Sequence, residues 1–490
     1  MSILANNLGI SMAQLKSRLG EVEIDPQNPF AGDVLDRKKY ADVLTSVVDA
    51  YSHSGCVLAL NGKWGTGKTT FVNMWKAQMD NQGYKTIYFN AWESDYMEDP
   101  LVALVSELKV INAHDASFTK ITANVGKILL TTVSSVFKIF LKSKAGVATE
   151  VVKDMLEATK DVGLSCLDEY AESKATTKEF KKNLEEYIAS STEGKPVVFF
   201  IDELDRCRPD YAVKVLERVK HFFDIPDIVF VLSINKEQLG YAIQGFYGTS
   251  NLDSDDYLRR FIDIEYELPA PDAKEFTQYL YNVYGFDDFL NSKERQKYFQ
   301  RGDEQGELTD TSTKLAKICH LDLRTQDRIF AICRITLESM TANNYLLPDV
   351  LYLLCLLKVK YKEIYAGIEA KTYTVQGLID DIENNVLLNY KAATHLDRLD
   401  YGIEFVIATL VVNYNNPWHG DVVDANFVGA DTDQERIKNY PFNVKKLNKE
   451  RLNEGLNWVT NHSWEKFHMG LSFIMGRIDL LNPLISKTEE

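Results

Sequence analysis

Cysteine is scarce in this 490-residue chain, and the little there is lies scattered. Cys56, Cys166, Cys207, Cys319, Cys333 and Cys355 form no C-x-x-C pair. Most sit in apolar surroundings and read as small buried hydrophobes, which fits a reducing cytoplasm. The eight histidines lack metal-site spacing, and neither a catalytic cysteine nor a serine triad can be argued. Met1 to Ala5 carry neither a basic region nor a long apolar core, so no secretion signal is expected. Long hydrophobic runs are missing too. The one membrane-like stretch, Ile128 to Leu141, is too short to span a bilayer and contains Lys138. Asn124 to Met155 is expected to form a helix or helical hairpin, with an interfacial amphipathic helix as the alternative. The expected location is cytoplasmic, with peripheral membrane association as the alternative. No internal repeat or low-complexity run stands out.

Basic charge is also in short supply. Lys and Arg number 55 against 71 Asp and Glu, a net charge of −16. That disfavours a wholesale nucleic-acid surface, which needs a clustered basic face, but leaves a local groove open. The densest late basic run, Lys445-Lys446-Leu447-Asn448-Lys449-Glu450-Arg451, reads best as a solvated helix face. Hydrophobic residues at 45% and charged residues at 26% are ordinary for a globular protein. The length suggests about three units, or two large ones.

What is present is a glycine loop in a telling place. Gly62-Lys63-Trp64-Gly65-Thr66-Gly67-Lys68-Thr69 fits G-x-x-x-x-G-K-[ST]. The apolar run Cys56 to Leu60 precedes it as a buried strand, and a helical pattern from Thr70 to Lys76 follows. Strand, glycine loop and helix start together make a phosphate cradle. Glycines let the backbone curl so that N–H groups point inward, and the helix N-terminus adds partial positive charge. Lys68 is expected to reach the β- and γ-phosphates, Thr69 to ligate Mg²⁺, and Thr70 to line the cradle.

A second element comes later. Val197 to Ile201 is a five-residue apolar run, the mark of a strand buried on both faces of a parallel sheet. It runs into Asp202-Glu203-Leu204-Asp205-Arg206. Acids at the carboxyl end of such a strand lie where α/β sheets bind ligands. Asp202 is placed to hold Mg²⁺, and Glu203 to accept a proton from an attacking water. Asp205 and Arg206 read equally well as surface residues. Further strands are expected at Lys85 to Trp92, Ile228 to Asn235 and Phe261 to Leu268. Five strands interleaved with helices predict an α/β fold with a doubly wound parallel sheet. The stretch from Pro100 to Gly194 reads as a helical insertion, and the chain beyond Pro271 as helical.

Four segments resemble the KAP family of P-loop NTPases, of prokaryotic type. Asp33-Val34-Leu35-Asp36-Arg37-Lys38-Lys39-Tyr40-Ala41 is similar to the family's entry segment. The glycine loop carries Trp64, where the family often has a tryptophan. Phe89-Asn90-Ala91-Trp92 is similar to its F-N-A-W strand ending. Ile201 to Cys207 is similar to its Walker B, with Glu203 where Asp is common. The resemblance implies ATP and Mg²⁺ as ligands, with Asp36, Arg37, Gly62, Trp64, Gly65, Thr66, Gly67, Lys68, Thr69 and Thr70 around the nucleotide. It implies Asp202 as the Mg²⁺ acid, and a sheet in which another strand separates the Walker A and Walker B strands. Asn235 stands in the place of a water-positioning sensor, or simply caps a helix. Arg260 resembles a trans-acting arginine and Arg324 a lid arginine, with a surface ion pair as the alternative for each. The expected divisions are an arm over 1–30, a P-loop core over 31–272 with its insertion at about 100–194, a helical lid over 273–360 and a helical module over 361–490.

Two function classes follow. One is an ATPase whose hydrolysis drives or times a conformational change, which in prokaryotic members of the family is often tied to phage defence. The other is a nucleotide-binding scaffold or switch with little turnover. A small-molecule kinase ranks last, because such kinases usually lack the Asp-Glu pair. The expected partners are further copies of the chain, or another protein docking on the helical C-terminal half.

Overall fold

The computed structural model describes residues 24–112, 116–132, 166–192, 194–299, 303–392, 402–415, 426–427, 438–466 and 471–479. The chain divides into two compact units at Ala270/Pro271.

In the first unit, α1 (Lys38–Tyr51) leads to β1 (Cys56–Asn61), then α2 (Lys68–Asn81) and β2 (Lys85–Asn90). Helices α3 (Pro100–Glu107), α4 (Ala116–Thr132) and α5 (Cys166–Ser191) intervene before β3 (Val197–Asp202). Helix α6 (Pro209–Phe222), β4 (Ile228–Ile234), α7 (Lys236–Tyr247), α8 (Ser254–Leu258) and β5 (Ile264–Glu267) complete it. The expectation for 124–155 therefore falls partly on α4; its remainder, 133–155, lies outside the described residues.

All five strands run parallel in the order β2-β3-β4-β1-β5. β4 thus separates the strand before the glycine loop from the strand that ends in Asp202, as the resemblance implied. The pattern of side chains explains the burial. Successive residues face opposite sides of a sheet. Val197, Phe199 and Ile201 enter one apolar core with residues of α3 to α7. Val198 and Phe200 enter a second core with Leu58, Leu60 and residues of α1 and α2. There Trp75 meets Phe200 edge-on at 5.2 Å and donates its indole N–H to Thr45 Oγ1 at 2.9 Å. Removing such a buried indole typically costs about 3–5 kcal/mol.

Two strand boundaries differ from expectation. β2 stops at Asn90, and Trp92–Ser94 forms a single 3₁₀ turn. The Asn90 side chain causes this, since its Oδ1 accepts the Trp92 and Glu93 amides at 3.1 and 3.4 Å. β5 begins at Ile264, because Asp263 Oδ2 accepts the Val57 amide at 2.8 Å ahead of the ladder.

Among its described residues the second unit is helical apart from the short antiparallel pair β6 (Asn426–Phe427) and β7 (Lys438–Asn439). Its helices are α9 (Ala273–Val283), α10 (Asp287–Leu290), α11 (Glu304–Ile318), α12 (Leu323–Glu338), α13 (Pro348–Lys360), α14 (Lys362–Glu369), α15 (Val375–Asp381), α16 (Ile403–Asn415), α17 (Lys449–Lys466) and α18 (Leu471–Asp479). Every residue from Val350 to Leu357 on α13 is buried, as a helix apolar all round must be. Two buried carboxylates order the segment before α17. Glu383 accepts the amides of Lys445, Lys446 and Leu447 at 2.8–3.0 Å, and Glu404 accepts that of Asn448 at 3.0 Å. The first part of the late basic run is therefore a tied turn, and the helix starts only at Lys449.

Candidate nucleotide site

The strand register brings the candidate residues to one edge of the sheet. Asn90 pairs with Asp202, Asp202 with Ser233, and Asn61 with Ile234. The glycine loop leaves β1 directly beside the end of β4, where the Gly62 amide donates to Ile234 O at 3.1 Å. This is the carboxyl edge of a parallel sheet, the usual ligand side.

The loop's shape follows from its composition. Gly65 and Gly67 have φ of 76° and 78°, left-handed values that glycine adopts without a Cβ clash. A Cβ on Gly62 would lie 3.1 Å from Thr66 Oγ1 and 3.4 Å from Lys68 Cδ, so a larger residue would press on both side chains. The Thr66 hydroxyl donates to Lys63 O at 2.8 Å. α2 begins at Lys68, with Gly67 as its cap. Its N-terminus faces the loop, and a helix N-terminus is a setting that favours an anion. Lys68 is buried to 8% exposure, and its Nζ donates to Gly62 O and Lys63 O at 2.5 and 3.1 Å. Thr69 and Thr70 are half-exposed in the first turn of α2.

Arg37 supports the loop through its backbone carbonyls. It is 4% exposed, and its Nη1 and Nη2 donate to Gly67 O and Thr66 O at 3.0 and 2.6 Å. Burial lowers its pKa to about 10, with Asp33 opposing that shift, so it remains a cation at neutral pH. Asp36 points elsewhere, pairing with Lys39 at 2.5 Å on the surface.

On the second strand, Asp202 is 2% exposed. Its Oδ1 accepts the Glu203 amide at 2.9 Å and its Oδ2 the Tyr88 hydroxyl at 3.1 Å. Burial, with Asp202 nearby, pushes the Tyr88 phenol far up, so it stays a donor. Glu203 adopts φ 60°, uncommon for a side chain with a Cβ. Its Oε1 accepts from Arg206 Nη1 at 2.8 Å, and that guanidinium lies 5.8 Å from the centre of the Trp92 ring. Asp205 is buried and accepts the indole N–H of Trp64. Asp205 and Arg206 are thus structurally engaged, which sequence reasoning had left even with a surface role.

The remaining candidates separate. Asn235 Oδ1 accepts the Gln238 amide at 3.3 Å and caps α7. Arg260 is exposed near β5, its guanidinium 6.0 Å from the Tyr257 ring, while Arg259 pairs with Asp256 at 3.2 Å. Arg324 is exposed in the first turn of α12, in the second unit. Three participants escaped sequence reading: Tyr88, the Trp64–Asp205 bond and the Arg206–Glu203 pair. A half-buried tyrosine in an otherwise apolar strand was a usable signal, because its hydroxyl needs a partner.

The donors fit a hard cation. Thr69 and Asp202 offer only oxygen, and Mg²⁺ takes one or two carboxylates with phosphate oxygens and water. Among the described residues no group of three or more His, Cys, Asp or Glu could hold a metal alone. A magnesium site here would draw its other ligands from the nucleotide and solvent.

A parallel sheet in this order, with one strand between the glycine loop's strand and the acidic strand end, defines a P-loop NTPase fold. The KAP family P-loop domain model matches residues 37–342, well over half of the chain, and the chain belongs to that family. Membership in that family implies nucleotide binding. No curated protein matches the chain. Among solved structures it is similar to the ORC2 protein of Aeropyrum pernix in its ADP form, at 11% identity over 76% of this chain and 77% of that one, TM-score 0.32. It is also similar to C. elegans PCH-2, at 11% identity over 69% and 72%, TM-score 0.31. Drosophila ORC bound to DNA matches at 12% identity over 93% and 88%, TM-score 0.34. Likenesses this slight carry no argument about activity. No helix among the described residues is long and apolar enough to cross a membrane.

Proposed function

We propose that this protein hydrolyses ATP with Mg²⁺ and uses the reaction to drive or time a conformational change. The observation that supports this most is the adjacency of Asp202 and Glu203 at the end of β3, one strand away from the glycine loop. Lys68 and the α2 N-terminus hold the terminal phosphates. Thr69 and Asp202 would hold Mg²⁺, which supplies charge neutralisation on the phosphate oxygens. Glu203 accepts the proton of the attacking water. Asn235 and the exposed arginines Arg260 and Arg324 are the candidates for orienting that water and stabilising the transferred phosphoryl group.

A second reading, a nucleotide-dependent switch with little turnover, draws support from one contact. Glu203 is engaged by Arg206, so the carboxylate is not free in this conformation. Steady-state phosphate release from purified protein decides between the two. Lys68→Ala is expected to remove most ATP affinity with a normal melting curve. Glu203→Gln is expected to keep ATP bound while turnover falls by about 10²–10⁴-fold. Near-wild-type turnover in the Glu203 variant eliminates it as the base. Unchanged ATP affinity in the Lys68 variant eliminates the cradle.

A cytoplasmic place in prokaryotic defence against phage rests on the family resemblance alone. Plating efficiency of phage on cells with the intact chain or the Glu203→Gln variant tests it, and equal plating on both rejects it. Association of copies, or of another protein, through the helical C-terminal half is part of the same proposal.

A further inference from the structure

The side chains Trp64 and Asp205 lie 141 residues apart in sequence and meet across the candidate nucleotide site. Trp64 belongs to the loop that would hold the phosphates. The residue remains 45% exposed, so the contact is not a by-product of core packing. Asp205 belongs to the short 3₁₀ turn Leu204–Arg206, directly after Glu203. That turn is stiff. Glu203 is its left-handed cap, the Arg206 amide donates to Glu203 O at 3.0 Å, and the Arg206 guanidinium grips the Glu203 carboxylate at 2.8 Å. A displacement of Asp205 therefore carries Glu203 with it.

Resting on the hydrolytic reading above, we infer that Trp64 is a positioning residue whose bond to Asp205 couples the conformation of the phosphate loop to the placement of Glu203. Phosphates entering the loop draw Lys68 Nζ away from the Gly62 and Lys63 carbonyls it now holds, which frees that stretch of backbone to shift. Trp64 follows Lys63 immediately in the chain. Its indole transmits that rearrangement to the turn, and the base reaches its working position only when the loop is occupied. An indole N–H bonded to a buried carboxylate suits this role, since the charge makes the bond strong and directional.

The test is a double-mutant cycle on the full chain. Trp64→Phe keeps the ring and deletes the donor. Asp205→Leu deletes the acceptor. Each single variant is expected to lower kcat about tenfold, the order expected for a lost hydrogen bond to a charged group, with affinity for a non-hydrolysable ATP analogue within about twofold. The double variant is expected to be no slower than the slower single one, as for residues acting through one contact. Asp205→Asn retains an acceptor oxygen and is expected to stay closer to wild type than Asp205→Leu. That comparison carries the test by itself if Trp64→Phe does not fold. Multiplying losses in the double variant overturn the inference, as does a loss confined to nucleotide affinity or equal kcat in Asp205→Asn and Asp205→Leu. Glu203→Gln is measured alongside. Full turnover there overturns the hydrolytic reading and this inference with it, whereas additive losses beside an inactive Glu203→Gln overturn this inference alone.

Discussion

The Arg37 guanidinium donates to the Gly67 carbonyl at 3.0 Å, so a residue ahead of the first strand holds the loop that follows it. The same group reaches Thr66 O. Gly67 O accepts the Phe71 amide as well, at 3.0 Å, so it is shared between the loop's brace and the start of α2. Arg37→Met fills the pocket but removes the donor to Thr66 O and leaves Gly67 O with the Phe71 amide alone. A hydrogen bond to a charged donor is worth about 1.5–3 kcal/mol. ATP affinity is expected to fall about tenfold or more by titration calorimetry, with a smaller loss of melting temperature. Unchanged affinity in a well-folded variant shows that the loop holds its shape without Arg37.

Arg260 is expected to act on a neighbouring copy. It is exposed, and an arginine supplied in trans is worth about 10³–10⁵ in rate. Specific activity should rise with protein concentration, and Arg260→Ala should abolish that rise with little change in ATP affinity. Mixing Arg260→Ala with Glu203→Gln should restore some turnover. Flat activity across a wide dilution series, from a species that stays monomeric with ATP, removes the reason for a trans arginine.

Asp349 predicts a pH dependence in the helical unit. It is half-buried at the start of α13, and its Oδ1 accepts the Val350 amide at 2.8 Å. Desolvation raises its pKa from 3.8 to about 6, against the opposing effect of that amide. The folded state therefore binds this proton more tightly than the unfolded state. The contribution to stability is full below the unfolded value and is lost as pH rises through about 6. Asp349→Asn keeps an oxygen for the Val350 amide and carries no charge. At pH of about 8 it is expected to be more stable than the parent by about 1–3 kcal/mol, a difference that closes below a pH of about 4. Thermal melts across that range check it. A difference independent of pH rejects the assignment.

Arg295 is 1% exposed and fully engaged. It grips Glu304 with Nε at 2.7 Å and Nη2 at 2.5 Å, while Nη1 meets the carbonyls of Ala342 and Asn344 at 3.2 and 2.9 Å. Losing Arg295 strands the partly buried Glu304 carboxylate, whose side chain is 14% exposed, at a cost below the roughly 3–5 kcal/mol of a fully buried pair. Arg295→Met should show that loss in denaturant unfolding, and Arg295→Met with Glu304→Leu should recover part of it. A double variant as unstable as the single one shows that the lost carbonyl bonds dominate.

Much of the first unit was legible because its signals are contiguous. Five apolar residues in a row announce a strand buried on both faces, and Val197 to Ile201 is one. The glycine loop carries its own conformation, since Gly65 and Gly67 permit turns that other residues resist. Boundaries were less legible. β2 ended early because the Asn90 side chain captured amides that would have continued the strand.

The chain's local sequence determined the elements, the loop and the acidic strand end. Only the tertiary structure decided which side chains meet across them. Trp64 finds Asp205, Arg37 finds Gly67 and Tyr88 finds Asp202 because the order β2-β3-β4-β1-β5 brings distant segments to one sheet edge. Glu383 and Glu404 likewise turned an apparent basic helix face into a tied turn. The physical reason is one of range. Backbone preference and hydrophobic period act over a few neighbouring residues, whereas a hydrogen bond between side chains depends on a strand register that no short segment contains.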